Sequence, residues 1–153
     1  MAIRPARVSD WQPIRLLLDQ LEYPGTESFL EARIARLVEH PDEVLLVYEE
    51  DGKSTAGLPE GRGGRILGFI SLHFIPQIAV EGDFARISYF AVNERARGGG
   101  IGRVLEEYCT ALARERGCTL IEVHCHTRRE RAHAFYFRQG YEESPKYLIK
   151  KLK

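Results

Sequence analysis

Val92-Asn93-Glu94-Arg95-Ala96-Arg97-Gly98-Gly99-Gly100-Ile101-Gly102 is the stretch on which the fold of this chain turns. A β-rich run, Phe84–Val92, leads into it. Beyond it Ile101, Leu105, Tyr108 and Leu112 recur along one side of a helix that ends near Gly117. A strand, a glycine turn and a helix start are therefore expected in succession. The first N–H groups of a helix have no intrahelical acceptor. They point outward at the positive end of the helix dipole, which favours an anion there. Glycines allow the sharp turn and let a phosphate approach the main chain. Arg97 adds a permanent positive charge with several donors. No Gly-Lys-Ser/Thr follows, so this is not a Walker-type phosphate loop, and neither its glycine spacing nor its late position suits a Rossmann turn. Local chemistry alone leaves an anion site and an unliganded glycine bend both open.

Upstream, residues 2–4 read as a short strand. Ser9 and Asp10 offer a cap for a helix carrying Trp11, Ile14, Leu17, Leu18 and Leu21, which Pro24-Gly25 breaks. Thr26 is placed to cap a second helix with Phe29, Leu30, Ile34, Leu37 and Val38 on its apolar side, ended by His40-Pro41. Val44–Tyr48 and Ile66–Phe74 are the next strands, joined by a loose Gly-, Pro- and charge-rich loop over 49–65 that is long for a hairpin connection. Downstream, Leu120–Cys125 alternates as a strand, and 130–139 reads as a helix closed by Gly140. Strand is expected again from Tyr141, with Tyr147–Leu152 last. The order is β-α-α-β-β-β-α-β-α-β, an α/β layout around one mixed sheet.

The chain has 153 residues, the size of one domain. Lys plus Arg number 22 and Asp plus Glu 22, so no net field draws nucleic acid or an anionic membrane. No run approaches the roughly 20 apolar residues of a membrane span, and the start, MAIRPARVSD, lacks a signal-peptide pattern. Cys109, Cys118 and Cys125 form no close-spaced metal or redox motif and read as thiols in a reducing compartment, the cytoplasm by default.

The quoted run resembles the acetyl-CoA signature of the GNAT N-acetyltransferase superfamily, Arg/Gln-x-x-Gly-x-Gly/Ala, with Arg97, Gly100 and Gly102 in the defined places. Ala132-His133-Ala134-Phe135-Tyr136-Phe137-Arg138-Gln139-Gly140-Tyr141 resembles the family's Ala-x-x-x-Tyr-x-x-x-Gly-Phe/Tyr block through Ala132, Tyr136, Gly140 and Tyr141. The resemblance implies an α/β acyl-CoA N-acyltransferase fold: one N-acetyltransferase domain over 1–153, a mixed central β-sheet and about four flanking helices. It implies acetyl-CoA as acetyl donor and no metal. Cofactor-binding residues would be Phe90, Ala91, Val92, Arg97, Gly98, Gly99, Gly100, Ile101, Gly102 and Arg103. The turn would grip the pyrophosphate, and Phe90–Val92 would pair with the pantetheine arm in a slot where strands 84–92 and 119–125 splay apart. A homodimer is common in the family.

Direct transfer needs a neutral amine and a proton for the departing thiolate. The resemblance assigns the second task to Tyr136 as general acid, although its aromatic neighbours equally describe a core residue. For the base, His124 and Glu122 share one side of a strand, and His126 and His73 also lie near strand ends, where histidine titrates in the useful range. A structural or surface histidine is the plainer reading of each. His124-x-His126 with Glu122 also has some metal-ligand character, too sparse to define a site. Arg129 stands where the family often has Asn, leaving the turn before the last helix unexplained. The stretch Arg128–Tyr141 is similar to small acetyltransferases that act on aminoalkylphosphonates and other small amines. The expected function is acetyl transfer to a small-molecule primary amine, with protein or peptide N-terminal acetylation and a non-catalytic CoA-binding regulatory module as rivals.

Overall fold

Alternating apolar residues along three adjacent runs build the centre of one sheet. A computed structural model describes residues 3–51, 64–144 and 147–153. The elements are β1 (Ile3–Pro5), α1 (Trp11–Gln20), α2 (Leu30–Glu39), β2 (Glu43–Glu49), β3 (Ile66–Ile75), β4 (Phe84–Val92), α3 (Ile101–Glu115), β5 (Leu120–Val123) and α4 (Glu130–Arg138). The strands lie in sequence order, β1-β2-β3-β4-β5. Neighbours are antiparallel except β4 and β5, which run parallel and are joined through α3. The sheet is mixed and flanked by four helices, as expected.

The sheet has two covered faces. Leu46, Ile70, Leu72, Phe74, Ala85 and Ile87 pack with Ile101, Leu105 and Cys109 of α3. Leu45, Val47, Phe69 and Ala91 pack with Ile14, Leu17, Leu18 and Ile34 of α1 and α2. Successive strand residues point to opposite faces, yet Ala85 and Ile87 share the α3 face with Phe90 and Val92. That parity slip is a β-bulge. Ser71 pairs with Tyr89 and Leu72 with Ile87, leaving Ser88 unpaired in register. A bulge adds one residue to one strand and re-aims the side chains beyond it.

Four expectations change, the first being the cap on α1: Asp10 precedes the helix but its side chain makes no cap bond there and accepts from the Arg7 N–H at 2.7 Å instead. Thr26 does not cap α2 with its side chain: its carbonyl accepts from Phe29 and Leu30 at 3.2 and 2.9 Å, while its buried hydroxyl has no partner among the described residues. The strand at 120 stops at Val123, short of Cys125, because β4 and β5 pair only from Phe84↔Leu120 to Ile87↔Val123. No strand follows α4 among the described residues of 141–153. Leu148, Ile149 and Leu152 are exposed there, without the strand neighbour that would turn alternation into pairing. The expected loop over 49–65 falls mostly on 52–63, which lie outside the described residues.

Candidate active site

The glycine turn supplies a ring of unused donors. A short 3-10 turn, Glu94–Ala96, leads from β4 into it, and the Asn93 side chain caps that turn by accepting from the Arg95 N–H. Gly98 and Gly100 take φ of +86° and +83°, the left-handed region that favours glycine. The first helical bond of α3 runs from the Val104 N–H to the Gly100 carbonyl at 3.1 Å. Among the described residues, no protein acceptor meets the main-chain N–H groups of 98–103. A β-carbon added at Gly98 or Gly100 would meet nothing within 4 Å, so the turn is open on the side where those side chains would stand. Phosphate oxygens are the natural partners for such donors.

Side chains around the turn are divided. Arg97 folds back so that its Nε donates to the Val92 carbonyl at 3.4 Å. Arg103 points outward and is paired with Glu107 at 2.8 Å, one helical turn on. The positive end of the site is therefore mainly main chain. Ile101 is buried and faces the sheet, so only its backbone is free for a ligand.

Beside the turn, β4 has an open edge. Its pairing with β5 ends at Ile87↔Val123, and residues 88–92 have no strand neighbour on that side among the described residues. Phe90, Ala91 and Val92 thus offer main-chain groups to an extended ligand, in the manner of an added strand. β5 ends where the Ser88–Tyr89 bulge begins, and the β4 edge beyond it is one wall of the slot that the family resemblance implies, with the bulge at its apex.

Tyr136 of α4 closes the α3 side of the slot. Its ring meets Phe90 edge-on at 6.5 Å, Phe135 at 5.3 Å and Tyr141 at 5.2 Å. Burial pushes its hydroxyl above the ordinary phenol range, and the charges of Cys125 and Glu106 push it further. The hydroxyl therefore keeps its proton at neutral pH, and it makes no hydrogen bond among the described residues. Behind it, buried Glu106 accepts from Thr110 at 2.6 Å and from the Tyr141 hydroxyl at 3.0 Å.

Of the other expected proton carriers, Glu122 is ion-paired, His126 is hydrogen-bonded and His124 is stacked on an aromatic ring. The Glu122 carboxylate is bound by Arg86, at 2.5 and 2.6 Å from two guanidinium nitrogens. His124 lies past the end of β5 with its ring stacked on Tyr147 at 4.5 Å. His126 receives the Arg128 N–H at 3.1 Å and helps fix the turn before α4. Among the described residues, no three His, Cys, Asp or Glu side chains gather as a metal site. Arg129 answers the question left by the missing Asn. Its Nη2 donates to the Leu21 carbonyl at 2.9 Å and pairs with Glu22, tying α4 to the end of α1. Tyr23 then lies edge-on to Tyr89 at 5.1 Å, across the bulge.

Sequence reading missed Ser88, Glu43, Tyr23 and Tyr89. The signal for the bulge was present: apolar residues at 85 and 87 resume at 90 and 92, out of step by one.

A strand with a bulge and an open edge, followed by a bare glycine-led helix start, is the arrangement expected of the N-acetyltransferase class. The sequence profile of the Acetyltransferase (GNAT) family matches residues 11–141, and the chain belongs to that family. An aminoalkylphosphonate N-acetyltransferase of Salmonella typhimurium is 34% identical over 83 residues, 54% of this chain and 54% of that protein. The alignment thus spans about half the length of this curated relative. Among solved structures, an Agrobacterium tumefaciens putative acetyltransferase superposes with a TM-score of 0.82 at 19% identity, covering 99% of this chain and 100% of that one. Glucosamine-6-phosphate N-acetyltransferase from Arabidopsis thaliana gives 0.79 at 22% identity, covering 99% and 97%. At such identities these two likenesses show the fold.

Proposed function

We propose that the chain transfers the acetyl group of acetyl-CoA directly to a primary amine of a small molecule. The observation that carries this reading is the row of unpartnered N–H groups at 98–103 set beside the open edge of β4. Pyrophosphate occupies the first and the pantetheine arm runs along the second, which brings the thioester to the bulge. The amine nitrogen attacks the thioester carbonyl, the C–S bond breaks, and the thiolate takes the Tyr136 proton. Solvent then reprotonates Tyr136, and the new amide nitrogen loses its extra proton.

The Salmonella relative suggests an aminoalkylphosphonate as acceptor class. Three free cysteines fit a reducing compartment such as the cytoplasm. The test is thiol release from acetyl-CoA across a panel of aminoalkylphosphonates, polyamines, aminoglycosides and short peptides, alongside calorimetric binding of acetyl-CoA. We expect saturable binding and release with a small amine. Saturable binding with no release from any amine would leave a CoA-binding module, and release with peptides alone would make this a peptide acetyltransferase.

A further inference from the structure

Glu43, His73 and Ser88 form a chain of polar contacts on the face of the sheet opposite α3. Glu43 and His73 are partners in the β2–β3 register, and His73 is in turn the partner of Arg86 on β4. All three side chains therefore share one face. His73 Nε2 lies 2.5 Å from the Ser88 hydroxyl. Its other ring nitrogen, Nδ1, is in contact with Glu43 Oε2. That carboxylate oxygen is buried and has no other polar partner among the described residues, so the His73 ring is what balances it. Ser88 is the residue the bulge inserts, exposed, immediately beyond the last β4–β5 pair.

We propose that His73 is the general base for the acceptor amine, working through the Ser88 hydroxyl and held in orientation by Glu43. This rests on the acetyl-transfer reading above. The Ser88 oxygen takes a proton from the substrate ammonium while its own proton passes to His73 Nε2. The amine becomes neutral, His73 becomes imidazolium, and Glu43 meets the new charge at Nδ1. No bond forms to Ser88. After acetyl transfer His73 returns its proton to solvent, so the net reaction releases one proton.

Position favours this group over the other carboxylates and rings nearby. Ser88 is two residues before Phe90, or roughly 7 Å along an extended strand. Tyr136 approaches Phe90 from the α3 side, so acid and base stand on opposite faces of the slot. Glu122 is neutralised by Arg86 and His124 is stacked on Tyr147. The ionisable groups facing His73 are Glu43 from β2 and Arg86 from β4, with Glu122 of β5 behind Arg86. Tyr89 and Tyr23 line the mouth next to Ser88.

The experiment compares wild type with His73→Gln, Ser88→Ala and Glu43→Gln in the thiol-release assay from pH 5 to 10, using the best small amine. Acetyl-CoA affinity and the thermal midpoint serve as folding controls. We expect kcat/KM for the amine to fall about 100-fold or more in His73→Gln, with acetyl-CoA affinity within twofold. The acid limb of the wild-type profile should disappear in that variant and persist in Glu43→Gln at lower amplitude. Ser88→Ala, an exposed change that leaves the core alone, should lose at least 10-fold. Thiol release with an unmoved acid limb in His73→Gln would overturn the relay while leaving acetyl transfer standing. Wild-type failure to release thiol with any amine would instead remove the transfer reading itself. Acetylated Ser88 in acid-quenched, digested enzyme would replace the relay with a covalent route.

Discussion

At the scale of single residues, the two sides of the reaction centre respond differently to substitution. The Tyr136 ring is packed edge-on against three aromatics, while its hydroxyl is bound to no protein atom among the described residues. Tyr136→Phe keeps the packing and removes only the proton donor. We expect turnover to fall at least about 100-fold with acetyl-CoA affinity nearly unchanged. Because burial raises the hydroxyl above the ordinary phenol range, the acid form persists through neutral pH. The alkaline side of the kcat profile should therefore stay flat to about pH 10. A fall beginning near pH 8 would count against Tyr136 as the donor. Gly100 makes a complementary case. At φ of +83°, Gly100→Ala should cost roughly 1–2 kcal/mol in stability, read by denaturant unfolding. Gly100→Glu should show the same strain and in addition weaken acetyl-CoA, since a carboxylate would face the phosphates. Equal affinity in the two variants would detach the turn from the pyrophosphate.

At the scale of elements, what the sequence disclosed depended on how local the cause was. The glycine turn, the amphipathic α3 and β4 were readable because each rests on neighbours within one segment. Tyr136 was singled out by its block, and its place beside Phe90 follows from α4 packing on the same face. The base stays open in the sequence among Glu122, His124, His126 and His73, because strand alternation says which residues share a side and not what stands opposite. Arg86 lies 36 residues from Glu122 in sequence, and Glu43 lies 30 from His73. The last strand was inferred from β-rich composition at 147–152, but composition supplies no pairing partner. We expect removal of 147–153 to change unfolding free energy by no more than about 0.5 kcal/mol, since its large apolar side chains are exposed. A loss of cooperativity would show that the segment is structural. The seam between α3 and the sheet behaves oppositely. A β-carbon at Gly68 would stand 3.2–3.3 Å from Leu105, Ile101 and the Ala91 carbonyl. Gly68→Val should therefore push α3 from β3 and cost about 1–3 kcal/mol, measured by urea denaturation. Such a shift also moves the start of α3, so acetyl-CoA affinity should drop with stability.

At the scale of the molecule, balanced charge hides a local dependence on acid. With 22 basic and 22 acidic residues, net repulsion contributes little near neutral pH. The N-terminal strand is held by a specific network instead. Arg4 of β1 binds Asp10 at 2.8 and 3.0 Å and Glu49 of β2 at 2.8 Å, while the Arg7 N–H donates to Asp10 at 2.7 Å. Burial alone would raise the Asp10 carboxyl, but the hydrogen bonds from Arg4 and Arg7 outweigh it and hold the group below its ordinary range. A depressed folded-state value means that the unfolded chain binds the proton more tightly. The stabilisation is thus complete above the unfolded carboxylate value of about 3.9 and drains away as pH falls through the lower folded value. Asp10→Asn should cost about 1–3 kcal/mol at pH 7, because Arg4 loses a charged acceptor in a half-buried setting. The gap between wild type and variant should stay constant from pH 7 to about 5 and then close as acid protonates the wild-type carboxyl. Urea unfolding at a series of pH values reads this directly. A gap that widened in acid would mean that another carboxylate controls the fold, with Glu49, the second acceptor of Arg4, the first to examine.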